Sequence, residues 1–238
     1  MRGLLLFSAA LLAVAVLTAC GGDGDSGEVE SSLEQALLRM VLEPEDLPQG
    51  FAQGDESFIT NEELASSSAD PEARKGLLEK WGRLLGYEVT YEPKGAALED
   101  YPVQGINVSA SLYLTEEGAA ESFADAVKKA EETDWAGNYA GLRDFQQEEV
   151  DVSSLADEIV WLRLSGFLPV TGGPDLLVTD DLIFFRVGRE RGFLRVQTNS
   201  AETEDRQYLR PTVEEWLRAL IENVEEVLAE PDLEVGEE

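Results

Sequence analysis

The sequence of 238 residues contains no histidine and a single cysteine, Cys20. The lack of histidine excludes Ser-His-Asp and Cys-His catalytic groups, histidine-ligated zinc and the usual general base near neutral pH. A single cysteine excludes an intramolecular disulfide, a CxxC motif and a thiolate metal cluster. Only carboxylates, lysine, tyrosine or serine remain for catalysis, so we expect a non-catalytic protein with no cofactor and no metal.

Basic residues are also scarce, with 18 Lys and Arg against 49 Asp and Glu, which gives a formal net charge of −31. Such a surface repels nucleic acid phosphates and anionic lipid headgroups, which excludes both as partners of the folded part. The apolar fraction of 43% is nevertheless sufficient for the core of a sizeable domain. We therefore expect an acidic, folded protein that is a monomer.

One apolar run, from Leu4 to Ala19, is interrupted only by Ser8 and Thr18. It is short for a bilayer span, which needs about 20 residues, and it follows a basic start. These features are typical of a secretory signal peptide. The run ends in LTAC, residues 17–20, and this ending resembles the lipobox of bacterial lipoproteins.

The resemblance to lipoproteins implies cleavage by signal peptidase II between Ala19 and Cys20. It also implies a thioether-linked diacylglycerol on Cys20, whose two acyl chains would anchor the protein stably in a membrane. The implied location is the outer face of the bacterial cytoplasmic membrane, or the outer membrane if there is one. An uncleaved anchor, or a chance cysteine at an ordinary cleavage site, would be the alternatives.

Composition divides the remaining chain into three parts. Residues 20–32 are rich in glycine and acidic residues, which predicts a flexible tether after the lipidated cysteine. Residues 33–230 form the predicted single globular domain, and residues 231–238 form an acidic tail.

Within the predicted domain, helix-start signals alternate with strand patterns. Helices are predicted to begin at Ser31 with Ser32, Thr60, Asp70 with Pro71, Thr115, and Pro211. The third of these is predicted to continue through Leu85 to Gly86. Apolar alternation predicts strands over 51–59, 87–91, 105–114, 145–150, 159–164, 182–187 and 193–198. The order predicts an α+β fold, with a mostly antiparallel sheet of about 5–7 strands, helices packed on it and a long C-terminal helix.

Three stretches, DLPQGF, WGRLLGYEVTYE and SLYLTEEGAAESF, resemble a set of exported bacterial lipoproteins of unknown function. The resemblance extends from Leu42 to Lys129 and implies export and a compact domain, but it transfers no functional residue. The predicted helix-flanked sheet is also similar to PsbP/Mog1-like and extracellular sensor-type domains, at the level of fold alone.

The densest basic cluster consists of Arg186, Arg189, Arg191 and Arg195. Four arginines near one hairpin are suited to bind a carboxylate, a phosphate or an acidic partner. The alternative is charge balance, in which each arginine pairs with a nearby acidic residue across the sheet.

Two other features have a functional interpretation and a structural one. Trp135 and Tyr139 lie in the helix-breaking stretch DWAGNYAGL, where they would line a ligand cleft or, as we favour, cover an edge of the core. Adjacent acids such as Asp180 and Asp181 would serve as paired carboxylates only if they converged. Neighbours on a strand point to opposite faces, so we expect a solvated acidic surface instead.

The pattern as a whole predicts a membrane-anchored lipoprotein of the cell envelope that acts as a non-catalytic binding or accessory module. Its partner would be an envelope protein or a small molecule. One alternative is a carboxylate-based hydrolase acting on cell-wall glycans, and another is a structural subunit of an envelope complex.

Overall fold

The computed structural model describes residues 26–95, 102–152, 155–201 and 209–230, and its centre is one seven-stranded antiparallel sheet. The strands lie in the order β1-β2-β3-β7-β6-β5-β4. Their bounds are β1 Phe51–Ile59, β2 Arg83–Pro93, β3 Val103–Tyr113, β4 Arg143–Glu149, β5 Glu158–Leu168, β6 Leu176–Val187 and β7 Glu190–Ala201. The predicted α+β fold with a mostly antiparallel sheet is confirmed.

Six α-helices in the described part of the chain accompany the sheet. They are α1 Ser26–Arg39, α2 Asn61–Ser66, α3 Pro71–Lys80, α4 Glu116–Glu132, α5 Trp135–Asn138 and α6 Leu209–Leu228. A short 3-10 helix, Pro44–Asp46, lies between α1 and β1. No helix among these residues is both long and apolar enough to cross a membrane.

Helices α1 and α6 pack together on one face of the sheet, called here the α1/α6 face. The largest buried cluster lies there, because alternate residues of β2, β3, β6 and β7 point toward both helices. Leu37 of α1, Met40 directly after α1 and Leu217 of α6 are completely buried in it. The predicted long C-terminal helix is therefore confirmed, and its apolar side is a surface of the core.

The opposite face, called here the α4 face, is covered only in part. Helices α2, α3 and α4 contribute to a small cluster that includes Trp81, Tyr113 and Ala119. Ala130, near the end of α4, packs in another cluster with Leu162 and Leu182. The sheet therefore has helices on both faces, with part of the α4 face left open over β2, β3, β7 and part of β6.

Local signals in the sequence fix several of the helix starts. Thr60 and Glu63 form a capping box, Asp70 accepts from the backbone N–H of Ala73, and Thr115 accepts from that of Gly118. Each side chain satisfies a backbone donor that the first turn leaves free. These predicted helix starts are confirmed.

Among the helices, two predicted boundaries are wrong by five residues or more. Helix α1 begins at Ser26 rather than at Ser31, and so includes the last part of the predicted tether, because no glycine or proline after Gly27 interrupts it. Helix α3 ends at Lys80, and Gly82 follows it with a φ of +64°. Glycine adopts this left-handed conformation without strain, so the chain turns there and Leu85 starts the alternation of a strand.

The signal peptide, Cys20 and the acidic tail from residue 231 lie outside the described residues.

Candidate functional site

The open part of the α4 face forms a groove of about 520 Å³. Its floor is made by four neighbouring strands and its side by helix α5. The lining residues are Glu88, Thr90, Tyr91, Glu92, Gln104, Gly105, Ile106, Asn107, Trp135, Leu182, Phe184, Phe193, Arg195 and Gln197. This volume is within the range of about 300–1,000 Å³ found for small-ligand sites.

Arg195 is fixed in the groove by a carboxylate beneath it. Its Nε lies 2.9 Å from Oδ1 of Asp180, and its Nη2 lies 2.6 Å from Oδ2. Asp180 is 1% exposed, whereas the Arg195 side chain is 39% exposed. The hydrogen bonds to Asp180 raise the pKa of Arg195, so the guanidinium is charged, immobilised and still accessible to a ligand.

Tyr139 reaches the same carboxylate from α5's C-terminal side, and its hydroxyl donates a hydrogen bond to Asp180. Burial, followed by this hydrogen bond, raises the pKa of Tyr139 to about 12. The hydroxyl therefore remains protonated at neutral pH, which makes it a donor that holds Asp180 in place rather than a base.

Three aromatic rings form the apolar part of the groove. The indole Nε1–H of Trp135 donates to the backbone oxygen of Ala130 at 2.7 Å, which holds the half-buried ring at the side wall. The rings of Phe184 and Phe193 lie 5.0 Å apart on the floor. Trp135 also packs against the Ala130 cluster, so it both lines the groove and covers a core edge.

Uncharged polar groups and two carboxylates complete the lining. Asn107 donates from Nδ2 to Glu88 at 2.6 Å, and Thr90 donates to the backbone oxygen of Asp55 at 3.2 Å. Glu92 lies at the outer end and pairs with Lys94 at 2.8 Å, with both side chains more than half exposed. The groove thus presents amide and carboxylate side chains and the hydroxyl of Thr90 beside an apolar floor.

The other three arginines of the sequence cluster do not join Arg195. Arg186 binds Glu158 at 2.5 Å and Asp157 at 3.2 Å, whereas Arg191 donates to the hydroxyl of Ser122 at 3.1 Å. Arg189 lies in the turn before β7, where partial burial lowers its pKa. Arg191 and Arg195 are four residues apart on one strand, a distance of about 13 Å. The geometry therefore separates the four arginines into individual contacts.

Two further buried acids lie on the α1/α6 face, away from the groove. Asp181 binds the guanidinium of Arg163 at 2.7 Å and accepts from the indole of Trp161 at 2.6 Å. Burial raises the pKa of Asp181, although Arg163 opposes the rise. Glu190 is completely buried, and neither carboxyl oxygen has a hydrogen-bond partner of normal geometry among the described residues.

Sequence reasoning singled out Trp135, Tyr139, Asp180 and Arg195 separately, but it did not bring them together. It missed the contribution of β2 and β3, since the polar face of β3 around Asn107 predicts only a surface that is solvated or covered by something polar. The alternation of apolar and polar residues around Asn107 is the signal in the sequence that could have indicated the groove, because a polar strand face covered by only one helix leaves room for a ligand. In the described parts of the chain, no group of three or more acidic or cysteine side chains is placed to hold a metal ion.

No protein-family model matches the chain, and no curated protein matches it. Among solved structures, the chain is similar to the extracellular domain of PknH from Mycobacterium tuberculosis, with a TM-score of 0.48 and 10% sequence identity. The alignment covers 83% of this chain and 97% of that one. At this level the likeness concerns the course of the chain and assigns neither a residue nor an activity.

Proposed function

We propose that the protein is a lipid-anchored, non-catalytic binding module of the bacterial cell envelope, and that the groove on the α4 face holds its ligand. The observation that carries this proposal is the Asp180–Arg195 pair. A nearly inaccessible carboxylate holds an accessible guanidinium in one position, which reduces the conformational entropy that the arginine would otherwise lose on binding. Such preorganisation favours ligand binding.

The lipobox-like residues 17–20 support the anchoring part of the proposal. Helix α1 begins at Ser26, so only five residues lie between the start of the folded part and the acylated end at Cys20. The six Cα–Cα steps from residue 20 to residue 26 reach at most about 20 Å when fully extended. The domain would therefore stay close to the membrane surface, where it would meet ligands of the envelope.

The hydrolase alternative lacks a suitable pair of acids in the groove. The half-buried Glu88 and the exposed Glu92 are the carboxylates of the lining, and they stand four residues apart on β2. Their separation along the strand is about 13 Å, beyond the range of about 5–9.5 Å between the carboxyl groups of glycosidases. Asp180 is occupied by Arg195 and Tyr139.

The anchor is tested by expressing the full chain in a bacterium and comparing it with Cys20→Ser. The wild-type protein should sediment with membranes and carry the mass of a diacylglycerol at Cys20, and the variant should remain an unprocessed precursor. Normal cleavage of the variant, together with an unlipidated wild-type protein, would contradict the anchor.

Ligand binding is tested by fluorescence of the purified full-length protein with a library of sugars, amino acids, nucleotides and polyamines. Trp135 is half-buried, whereas the other three tryptophans, all in described regions, are at most 5% exposed. A change in tryptophan fluorescence on addition of a ligand would therefore report on the groove. Binding should disappear in the double variant Asn107→Ala, Gln197→Ala and persist in the control Gln147→Ala, an exposed amide on β4. A library without any groove-dependent ligand would refute the binding function.

A further inference from the structure

We infer that the groove binds a neutral polyhydroxylated ligand, namely an oligosaccharide. This inference rests on the proposed binding function and specifies the chemical class of the ligand. It follows from three properties of the lining, which are its aromatic surface, its hydrogen-bonding groups and its charge.

The aromatic surface is suited to the C–H face of a sugar ring. Trp135 is held by its hydrogen bond to Ala130 and packs against the neighbouring core cluster, so its ring is a fixed platform at the side wall. Phe184 and Phe193 extend the apolar surface along the floor. The faces of aromatic rings carry partial negative charge and are apolar, so they favour contact with the weakly positive C–H groups of a pyranose.

The hydrogen-bonding groups include both donors and acceptors. Asn107 uses Nδ2 to bind Glu88, which leaves its Oδ1 as an acceptor, and Asp180 occupies Nε and Nη2 of Arg195 but not Nη1. The exposed side chain of Gln197 offers both an acceptor and two donors. A hydroxyl group both donates and accepts, so a ligand with several hydroxyls can satisfy such a mixed lining at closely spaced points.

The charge of the groove disfavours both anions and cations. Among the described residues that line it, Arg195 carries the only positive charge, and Asp180 neutralises it. Lys94 balances the charge of Glu92, so Glu88 keeps an uncompensated negative charge and makes the lining repel a phosphate or carboxylate. An organic cation would be attracted by Glu88 alone among the described lining residues, and Arg195 on the floor would repel it. A neutral polar ligand avoids both penalties.

The inference is tested by calorimetry on the full-length protein in a detergent without a sugar headgroup. The probes are neutral tetrasaccharides of glucose, galactose, mannose and N-acetylglucosamine, with spermidine and inorganic phosphate as charged probes. At least one tetrasaccharide should bind with one site per chain. Trp135→Ala should weaken it at least tenfold and Gln197→Ala at least threefold, whereas Gln147→Ala should leave the affinity unchanged.

Gln197→Ala keeps the test valid if Trp135→Ala loses its fold, because Gln197 is exposed. Binding of spermidine or phosphate, without binding of any tetrasaccharide, would overturn the inference and leave the binding function standing. Tetrasaccharide binding that survives the Gln197→Ala change in full would also overturn it, because the sugar would then lie outside the groove. If none of the six probes binds, the oligosaccharide inference is also overturned, and the wider ligand library then tests the binding function separately.

Discussion

Asp180 and Asp181 are neighbours on β6, yet their side chains leave the strand on opposite faces and each binds its own arginine. Asp180 pairs with Arg195 on the α4 face, and Asp181 pairs with Arg163 on the α1/α6 face. Each aspartate is 1% exposed. The period of two in a strand thus places one buried ion pair under the groove and the other at the core.

The two ion pairs should differ in their contribution to stability. Arg163 is only 10% exposed, so Asp181→Asn leaves a buried guanidinium without a counterion, which costs about 3–5 kcal/mol. Arg195 is 39% exposed and can turn to water, so Asp180→Asn should cost only about 2 kcal/mol. Free energies of unfolding from urea titrations measure the difference. Equal losses would show that solvent reaches both guanidinium groups alike.

Glu190 should make the stability depend on pH. Burial raises the pKa of its carboxyl well above the ordinary value of 4.5, and only the backbone of Ser111 and the charge of Arg191 oppose the rise. The folded protein therefore keeps a proton that the unfolded chain releases above about pH 4.5. The stabilisation that Glu190 contributes falls as the pH increases from about 4.5 toward the raised pKa, and it does not change further at higher pH.

Glu190→Gln imitates the protonated carboxyl at every pH. Its melting temperature should equal that of the wild-type protein near pH 4.5 and exceed it by a margin that grows as the pH rises toward the raised pKa. Taking the difference between the two proteins cancels the other acidic residues. A difference that does not change with pH would show that the carboxyl has the same protonation in the folded and unfolded states.

Adjacent leucines of α1 provide a matched test of the helix register. Leu37 is completely buried and Leu38 is 42% exposed. Leu37→Ala should lower the free energy of unfolding by about 2–5 kcal/mol because it leaves a cavity in the core. Leu38→Ala should change it by less than about 0.5 kcal/mol. Chemical denaturation of both variants decides whether α1 packs as described, and a reversed order would contradict this register.

The hairpin arginines should separate into structural and surface groups. Arg195→Ser leaves the buried Asp180 without its charge partner and should cost about 3–5 kcal/mol. Arg189→Ser and Arg191→Ser together should cost no more than about 2 kcal/mol, since partly exposed pairs contribute about 0–1 kcal/mol each. Thermal melts measure the stability of these variants. A large loss of stability in the double variant Arg189→Ser, Arg191→Ser would reveal a structural role at the turn.

The sequence predicts the presence of helices and strands better than it predicts the residues at which they end. Trp81, Leu84 and Leu85 continue the helical spacing of α3, so the pattern alone extends that helix to Gly86. The structure ends the helix at Lys80, because Leu85 starts an alternation that β2 buries against α1. Local spacing is ambiguous at such a junction, and burial in the sheet decides it.

The candidate site depends on register, which the sequence does not encode locally. Arg195 lies opposite Leu182, and Asp180 lies opposite Gln197, so the arginine and the aspartate are diagonal neighbours across β6 and β7. Asn107 and Arg195 are directly opposite across β3 and β7, although they are 88 positions apart in the sequence. Such contacts arise only when strands distant in sequence pair.

The order of the sheet leaves β1 and β4 as its two edges. Unpaired strand edges invite other chains to add to the sheet, and the proposed lipid anchor would concentrate those edges at a membrane surface. Each edge strand contains an irregular register, between Gln53 and Glu56 in β1 and between Arg143 and Gln146 in β4. Both strands also carry exposed acidic residues. Bulged, negatively charged edges resist polymerisation, so crowded neighbours would remain separate molecules.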